Sequence, residues 1–285
     1  MGIPLKNLED KSDIAVDARL VGFGRESNVY RLSNGHLMKV FNKKIVNGYE
    51  TFELNAEEKI QNINYIYNCN LSQYFNKPLI AYLVGEKIVA YEFEEFDGGV
   101  AIDYLPLKSN NKNILEVLLL CKNALLEAHD SGFLIGDLTT SNILYRELDL
   151  TVKYIDVDSF IINSKLPNTI NEFAQKYISN GGKVDQALDV YLLNYLTMFC
   201  IMRNVPNYYK AIDSLYYGRK TDLPENQNFI NVKSGLTQYC KKVIMYYESR
   251  FPFENKTEFL IDEIYGKHLD DYISHEKEHI PKLYR

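Results

Sequence analysis

A chain of 285 residues, 46% apolar and 25% charged, can bury a sizeable core and has the composition of a globular rather than a disordered protein. Its net charge of −6 supplies no basic footprint for nucleic acid. The longest apolar run, Val190 to Met202, is broken by Asn194 and Thr197 and is too short to span a bilayer. Cys69, Cys121, Cys200 and Cys240 lie far apart inside apolar segments, the pattern of reduced core thiols rather than of zinc ligands or a disulfide scaffold.

The N-terminus lacks the apolar run of a signal peptide, and Lys6 stands where a myristoylation site needs Ser or Thr. A cytoplasmic protein is expected, with residues 1–15 polar and peripheral. Leu20 to Leu32 reads as two strands around a tight turn at Gly22-Phe23-Gly24. Ser33-Asn34-Gly35 signals a hairpin, and His36 to Phe41 returns as the next strand. From Gly48 to Asn68 the apolar residues Phe52, Ala56, Ile60, Ile63 and Tyr67 recur at helical spacing, predicting one amphipathic helix. Leu79–Val84 and Lys87–Phe93 form a further hairpin through Gly85-Glu86.

A long helix is expected over about Asn113 to Asp130, with Leu118, Cys121, Leu125 and Ala128 as its core stripe and Ser131-Gly132 as its stop. Residues 159–185 read as irregular and polar. Asp189 then begins a helix apolar nearly all round, hence buried. The remainder, to about Ile264, reads as helices with loops near Pro206, Pro224 and Pro252, followed by a charged tail.

Between the long helix and the irregular segment lies the chemistry. Gly136-Asp137-Leu138 is followed by Asn142, five residues after Asp137, and by Asp156 after an apolar strand. Phosphoryl transfer uses such a set. One carboxylate takes the proton of an attacking hydroxyl, while an amide oxygen and a second carboxylate hold the metal ions that bridge nucleotide phosphates.

Six segments over roughly residues 20–200, in order, resemble the protein-kinase-like superfamily. The phrases Gly-Asp-Leu-x-x-x-Asn-Ile-Leu and Ile-Asp-x-Asp-Ser-Phe look most like bacterial members, and the abundance of Tyr, Asn, Ile and Lys suits a low-GC bacterium. The resemblance implies an α+β, bilobal fold: an antiparallel-sheet N-lobe with one main helix (residues 1–96) and a mostly helical C-lobe (97–285). It implies ATP and Mg²⁺ or Mn²⁺ as cofactors, with Gly22, Gly24, Ser27 and Val29 in the glycine-rich loop and Lys39 on the nucleotide phosphates. Phe93, Glu94 and Phe96 would border the adenine. Glu57 would orient Lys39, although Glu53 lies nearer the apolar stripe and Glu58 faces away from it. Asp137 would be the catalytic base, Asn142 and Asp156 the metal ligands, and Asp189 would tie down the catalytic-loop backbone.

The departures are equally specific. Ile135-Gly136 replaces the family's His-Arg, Thr139 its lysine, and Asp156-Val157-Asp158 its Asp-Phe-Gly; Asp158 reads as a turn-capping carboxylate or an added metal ligand. The leading expectation is a kinase for Ser/Thr of a protein substrate, without nucleic-acid or membrane partners. The alternatives are a small-molecule phosphotransferase of the aminoglycoside- or choline-kinase type, which also lacks that arginine and lysine, and a nucleotide-binding pseudokinase.

Overall fold

Short β-rich runs separated by turn residues dominate the N-terminal part of the sequence, and they build its sheet. The computed structural model describes residues 3–8, 19–24, 27–46, 49–52, 56–109, 111–162, 172–179, 181–202, 259 and 261–262. Strands β1 (Leu5–Leu8), β2 (Arg19–Phe23), β3 (Ser27–Arg31) and β4 (Leu37–Phe41) are followed by a hairpin of β5 (Lys43–Val46) and β6 (Tyr49–Phe52). Helix α1 (Ala56–Asn68) and strands β7 (Pro78–Val84) and β8 (Lys87–Phe93) come next. Six strands pair in the order β1-β7-β8-β4-β3-β2. All neighbours are antiparallel except β1 and β7.

The predicted hairpins form where glycine supplies a positive φ: Gly35 at +85° between β3 and β4, and Gly85 at +62° between β7 and β8. One expectation is refined and another fails. The described N-terminal residues join the sheet at its edge: β1 runs parallel to β7 with Leu5 opposite Ala81, its side chains mostly exposed, and Ile3 is buried. Tyr49–Phe52 is not the start of the helix. It is a strand whose Tyr49 pairs with Val46, and α1 begins only at Ala56. Asn-Gly between β-rich runs is a strong hairpin signal, and it overrides the helical spacing of Phe52.

Each sheet face carries its own cluster, as the strand pleat requires. Phe41, Tyr91 and Phe93 pack with Val29 and Leu37 and with Ile60, Ile63 and Tyr67 of α1. Met38, Val40, Tyr82, Val89 and Ala90 form the other cluster. Ile63 and Ile66 are fully buried, a contribution of about 1.5–3 kcal/mol each.

The chain divides into two compact units. The first is Met1–Gly99 with Glu127–Asp137 and Lys153–Ile170; the second is Val100–Leu126, Leu138–Val152 and Asn171–Arg285. In the first unit an aromatic cluster locks the later segments to the sheet-and-helix part. Phe133 stacks on Phe160 with centroids 5.2 Å apart, and Phe75 meets both rings edge-on. Strand Phe133–Leu134 pairs with Ile161–Ile162, and the Tyr154 amide donates to the Tyr74 carbonyl at 2.7 Å.

In the second unit Ile143–Tyr145 pairs with Val100–Ala101. The long helix runs Asn111–Asp130 with its predicted stripe buried, and its stop is as expected, with Gly132 at φ +83°. Helix Gln186–Met202 is buried along most of its length, Asp189 included. The segment expected to be irregular contains a helix, Glu172–Ser179, whose Tyr177 packs on Tyr191 at 4.8 Å. Ala174 and Tyr177 of that helix are both buried, so its core side follows helical spacing. Cys69, Cys121 and Cys200 are free thiols, the last two buried. The helices expected after Met202 and Cys240 lie outside the described residues, apart from Phe259, Ile261 and Asp262. Among the described residues no helix is long and apolar enough to cross a membrane. The architecture is mixed α+β with an antiparallel-dominated sheet.

Candidate functional site

The register of the sheet creates a rung of residues across one face. Gly22 pairs with Val29, Val29 with Lys39, and Lys39 with Tyr91. Directly opposed residues in neighbouring strands share a face, so Val29, Lys39 and Tyr91 stand together. Phe93, two positions beyond Tyr91 and opposite Leu37, joins them.

The glycine turn closes through the Gly24 amide donating to the Ser27 carbonyl at 2.8 Å. A Cβ at Gly22 would lie 3.6 Å from Val29, and one at Gly24 would lie 3.4 Å from the Ser27 carbonyl oxygen. The chain itself therefore does not demand glycine at either place, whereas a ligand approaching the backbone closely would. After β8, Glu94 is exposed, Glu95 accepts from Arg31 Nε at 2.8 Å, and Phe96 lies under Lys153, 5.5 Å from its ring centroid.

Lys39 projects from the centre of this face into two carboxylates. It pairs with Asp156 and donates to Asp158 Oδ1 at 2.7 Å. Asp156 has φ +65° and ψ +38°, a left-handed conformation that costs a non-glycine residue about 1–2 kcal/mol. The surroundings hold it there. Its carbonyl and carboxylate accept from the Ser159 amide and hydroxyl at 3.0 and 2.8 Å, closing the 3₁₀ turn Val157–Ser159.

Asp158 is 2% exposed, and its oxygens are taken up by three side chains. Oδ1 also accepts from the Tyr91 hydroxyl at 2.7 Å, and Oδ2 accepts from Lys59 Nζ at 2.9 Å. Burial alone would push this carboxyl up. Lys39 and Lys59 outweigh burial and hold it well below the usual carboxylate range. The same burial, with Asp158 beside it, drives the Tyr91 hydroxyl well above its ordinary value. Lys59 also stands over the Phe41 ring at 4.8 Å, and Asn62 Nδ2 donates to the Asp158 and Phe160 carbonyls at 3.3 and 2.7 Å. Helix α1 is thereby tied to the turn that follows Asp156.

Asp137 is half-buried, its amide donating to the Ile135 carbonyl at 2.7 Å. The residue before it must be glycine here. Gly136 has φ +67°, and a Cβ would come within 2.7 Å of Ile161 Cγ1. No arginine fits that position in this backbone.

Lys39, Asp137 and Asp156 all belong to the first unit. Asn142 belongs to the second, its amide donating to the Thr139 carbonyl at 3.1 Å. Glu57 is in the first turn of α1, but its side chain lies outside the described residues.

The residues that sequence reading missed are Lys59, Asn62 and Tyr91, and it gave Asp158 the wrong surroundings. Asp158 reaches across to two lysines and a tyrosine rather than simply capping its turn. One signal was present. Ala56, Lys59, Ile63 and Ile66 follow helical spacing, so Lys59 occupies a core-facing place on α1. A lysine there needs a buried partner. The chain matches no protein-family model and no curated protein sequence.

Proposed function

We propose that this chain is an ATP- and Mg²⁺-dependent kinase that transfers a phosphoryl group to Ser or Thr hydroxyls of a protein. In this reading it has a bilobal arrangement, with residues 1–96 as nucleotide-binding lobe and 97–285 as catalytic lobe. The observation that carries the reading is the ion pair of Lys39 with Asp156 on the sheet face that also bears Val29 and Phe93.

Mg²⁺ is usually held by one or two carboxylates together with phosphate oxygens. Asp156, whose side chain keeps 27% exposure, and the Asn142 amide oxygen are each hard-oxygen donors of the kind such an ion takes. The ion would neutralise charge on the nucleotide phosphates. Val29 and Phe93 supply apolar surface for the adenine, and the backbone of Glu94 to Phe96 borders it. The backbone of Gly22, Gly24 and Ser27 approaches the phosphates, and Lys39 donates to their oxygens. Asp137 accepts the proton of the substrate hydroxyl as its oxygen bonds to the γ-phosphorus. The bond from that phosphorus to the β–γ bridging oxygen breaks, and ADP leaves with the electron pair.

The test is incubation of the purified chain with γ-labelled ATP, Mg²⁺ or Mn²⁺, and a generic protein substrate. Label in protein is expected, reduced about 10²–10⁴-fold in Asp137→Asn, the range for a lost general base. Label only in an added small alcohol or amine would replace the reading with a small-molecule phosphotransferase. Nucleotide binding without any transfer would replace it with a non-catalytic module.

A further inference from the structure

We infer that Asp158 is the residue that positions Lys39 for phosphate, with Lys59 as its counter-charge and Tyr91 as its third partner. The inference rests on the phosphoryl-transfer reading and adds to it residues that no metal or nucleotide contact would reveal.

Lys39 faces two carboxylates that differ in kind. Asp156 is partly open to solvent, with 27% side-chain exposure, and is the one a metal ion can claim. Asp158 has 0% side-chain exposure and donors on both oxygens. Lys39 and Tyr91 fill Oδ1, Lys59 occupies Oδ2, and the side chain is closed to solvent. A lysine released by Asp156 therefore stays anchored through Asp158.

The ion pairs support the same division. Among the described residues Asp156 pairs with Lys39, whereas Asp158 pairs with Lys39 and Lys59 together. Lys59 donates to the oxygen of Asp158 that Lys39 does not use. Asn62 fixes the backbone of the same turn to α1. Strands β4 and β8, helix α1 and the turn after Asp156 thus converge on one carboxylate.

The experiment uses the full chain and three variants: Asp158→Asn, the double variant Asp158→Asn with Lys59→Met, and Tyr91→Phe. The double variant removes one buried charge of each sign, so it leaves the net charge of the cluster unchanged where the single variant does not. Three readouts are taken: cooperative melting, the Mg-ATP dissociation constant by calorimetry, and the rate at which an acetylating N-hydroxysuccinimide ester modifies Lys39. Mass spectrometry measures that rate against the exposed lysines of the same chain.

In the folded double variant, Lys39 is expected to acetylate at least about tenfold faster and Mg-ATP to bind at least about tenfold more weakly, the scale of one charged hydrogen bond. Tyr91→Phe is expected to shift both in the same direction by a smaller factor. A double variant that melts cooperatively with Lys39 reactivity and nucleotide affinity unchanged would overturn the inference. If the double variant does not melt cooperatively, Tyr91→Phe decides on the same two readouts. If wild type neither binds nor turns over ATP, the kinase reading fails, and the acetylation rates still decide whether Asp158 holds Lys39.

Discussion

Tyr91 and Glu92 are neighbours on β8, and the pleat sends them to opposite faces, where each enters a different polar network. Tyr91 joins Asp158, Lys39 and Lys59, a cluster of full charges with Asp158 sealed from solvent. Glu92 is also buried, at 3% exposure, yet its partners are milder: the Tyr82 hydroxyl and His36 Nδ1 at 3.2 Å, the imidazole being 37% exposed. Lys6 donates to the Tyr82 hydroxyl at 3.4 Å, and its charge acts on Glu92 from there. Burial pushes the Glu92 carboxyl up, but its bonds to Tyr82 and His36 bring it below the usual carboxylate range. The contrast separates two ways of burying a carboxylate. The Glu92 network can call on water when a partner is lost. The Asp158 network cannot, and it lies beside Lys39 and Asp156, which we propose for phosphoryl transfer.

The largest expected effect is that of Asp158→Asn. Removing one member of a buried charged cluster costs about 3–5 kcal/mol, because two buried ammonium groups lose the carboxylate they share. Glu92→Gln should cost about 1–3 kcal/mol, the range for a buried group that loses its best partner. Urea denaturation of both variants measures the difference, and equal costs would break the comparison. Next come the two tyrosines. Tyr91→Phe removes a bond to a fully buried carboxylate and should cost about 1.5–3 kcal/mol. Tyr82→Phe should cost about 0.5–1.5 kcal/mol, since solvent can reach part of its network.

The smallest effect is in pH dependence. Glu92 is lowered in the folded protein relative to an unfolded value of about 4.3, so its contribution is fully present above that value. It is lost as pH falls through the folded value. Asp158, also lowered, follows the same sign from an unfolded value of about 3.9. The stability gap between wild type and Glu92→Gln should therefore be constant from pH 7 to about 5 and close below about 4. Denaturation midpoints across that range measure it, and a gap that widens in acid would contradict the sign.

Legibility in the sequence followed the range of each interaction. Hairpins written in adjacent residues were readable, as at Gly35 and Gly85, and so was the buried helix that begins near Asp189. The strand that carries Lys39 was readable because its strand and turn signals are local. The parallel strand Leu5–Leu8 was not, since its partner β7 is more than seventy residues away and a short strand carries little pattern. The helical spacing of Phe52 misled because the Asn-Gly signal in the sequence at 47–48 was not weighed against it. Asp158 was found in sequence but not understood, because its partners come from β4, β8 and α1. A buried charge shows its partners only in three dimensions, although Lys59 on the apolar side of α1 was a clue.

The central claim is that Lys39 and Asp156 form a nucleotide site completed by a divalent metal, and the stabilisation of folding by ATP tests it most directly. With Mg²⁺, ATP at a hundred times its dissociation constant should stabilise wild type by about 2.7 kcal/mol. Without metal the gain should be much smaller, and in Asp156→Ala the added Mg²⁺ should make no difference. Stabilisation of Asp156→Ala by Mg-ATP to the wild-type extent would contradict the account.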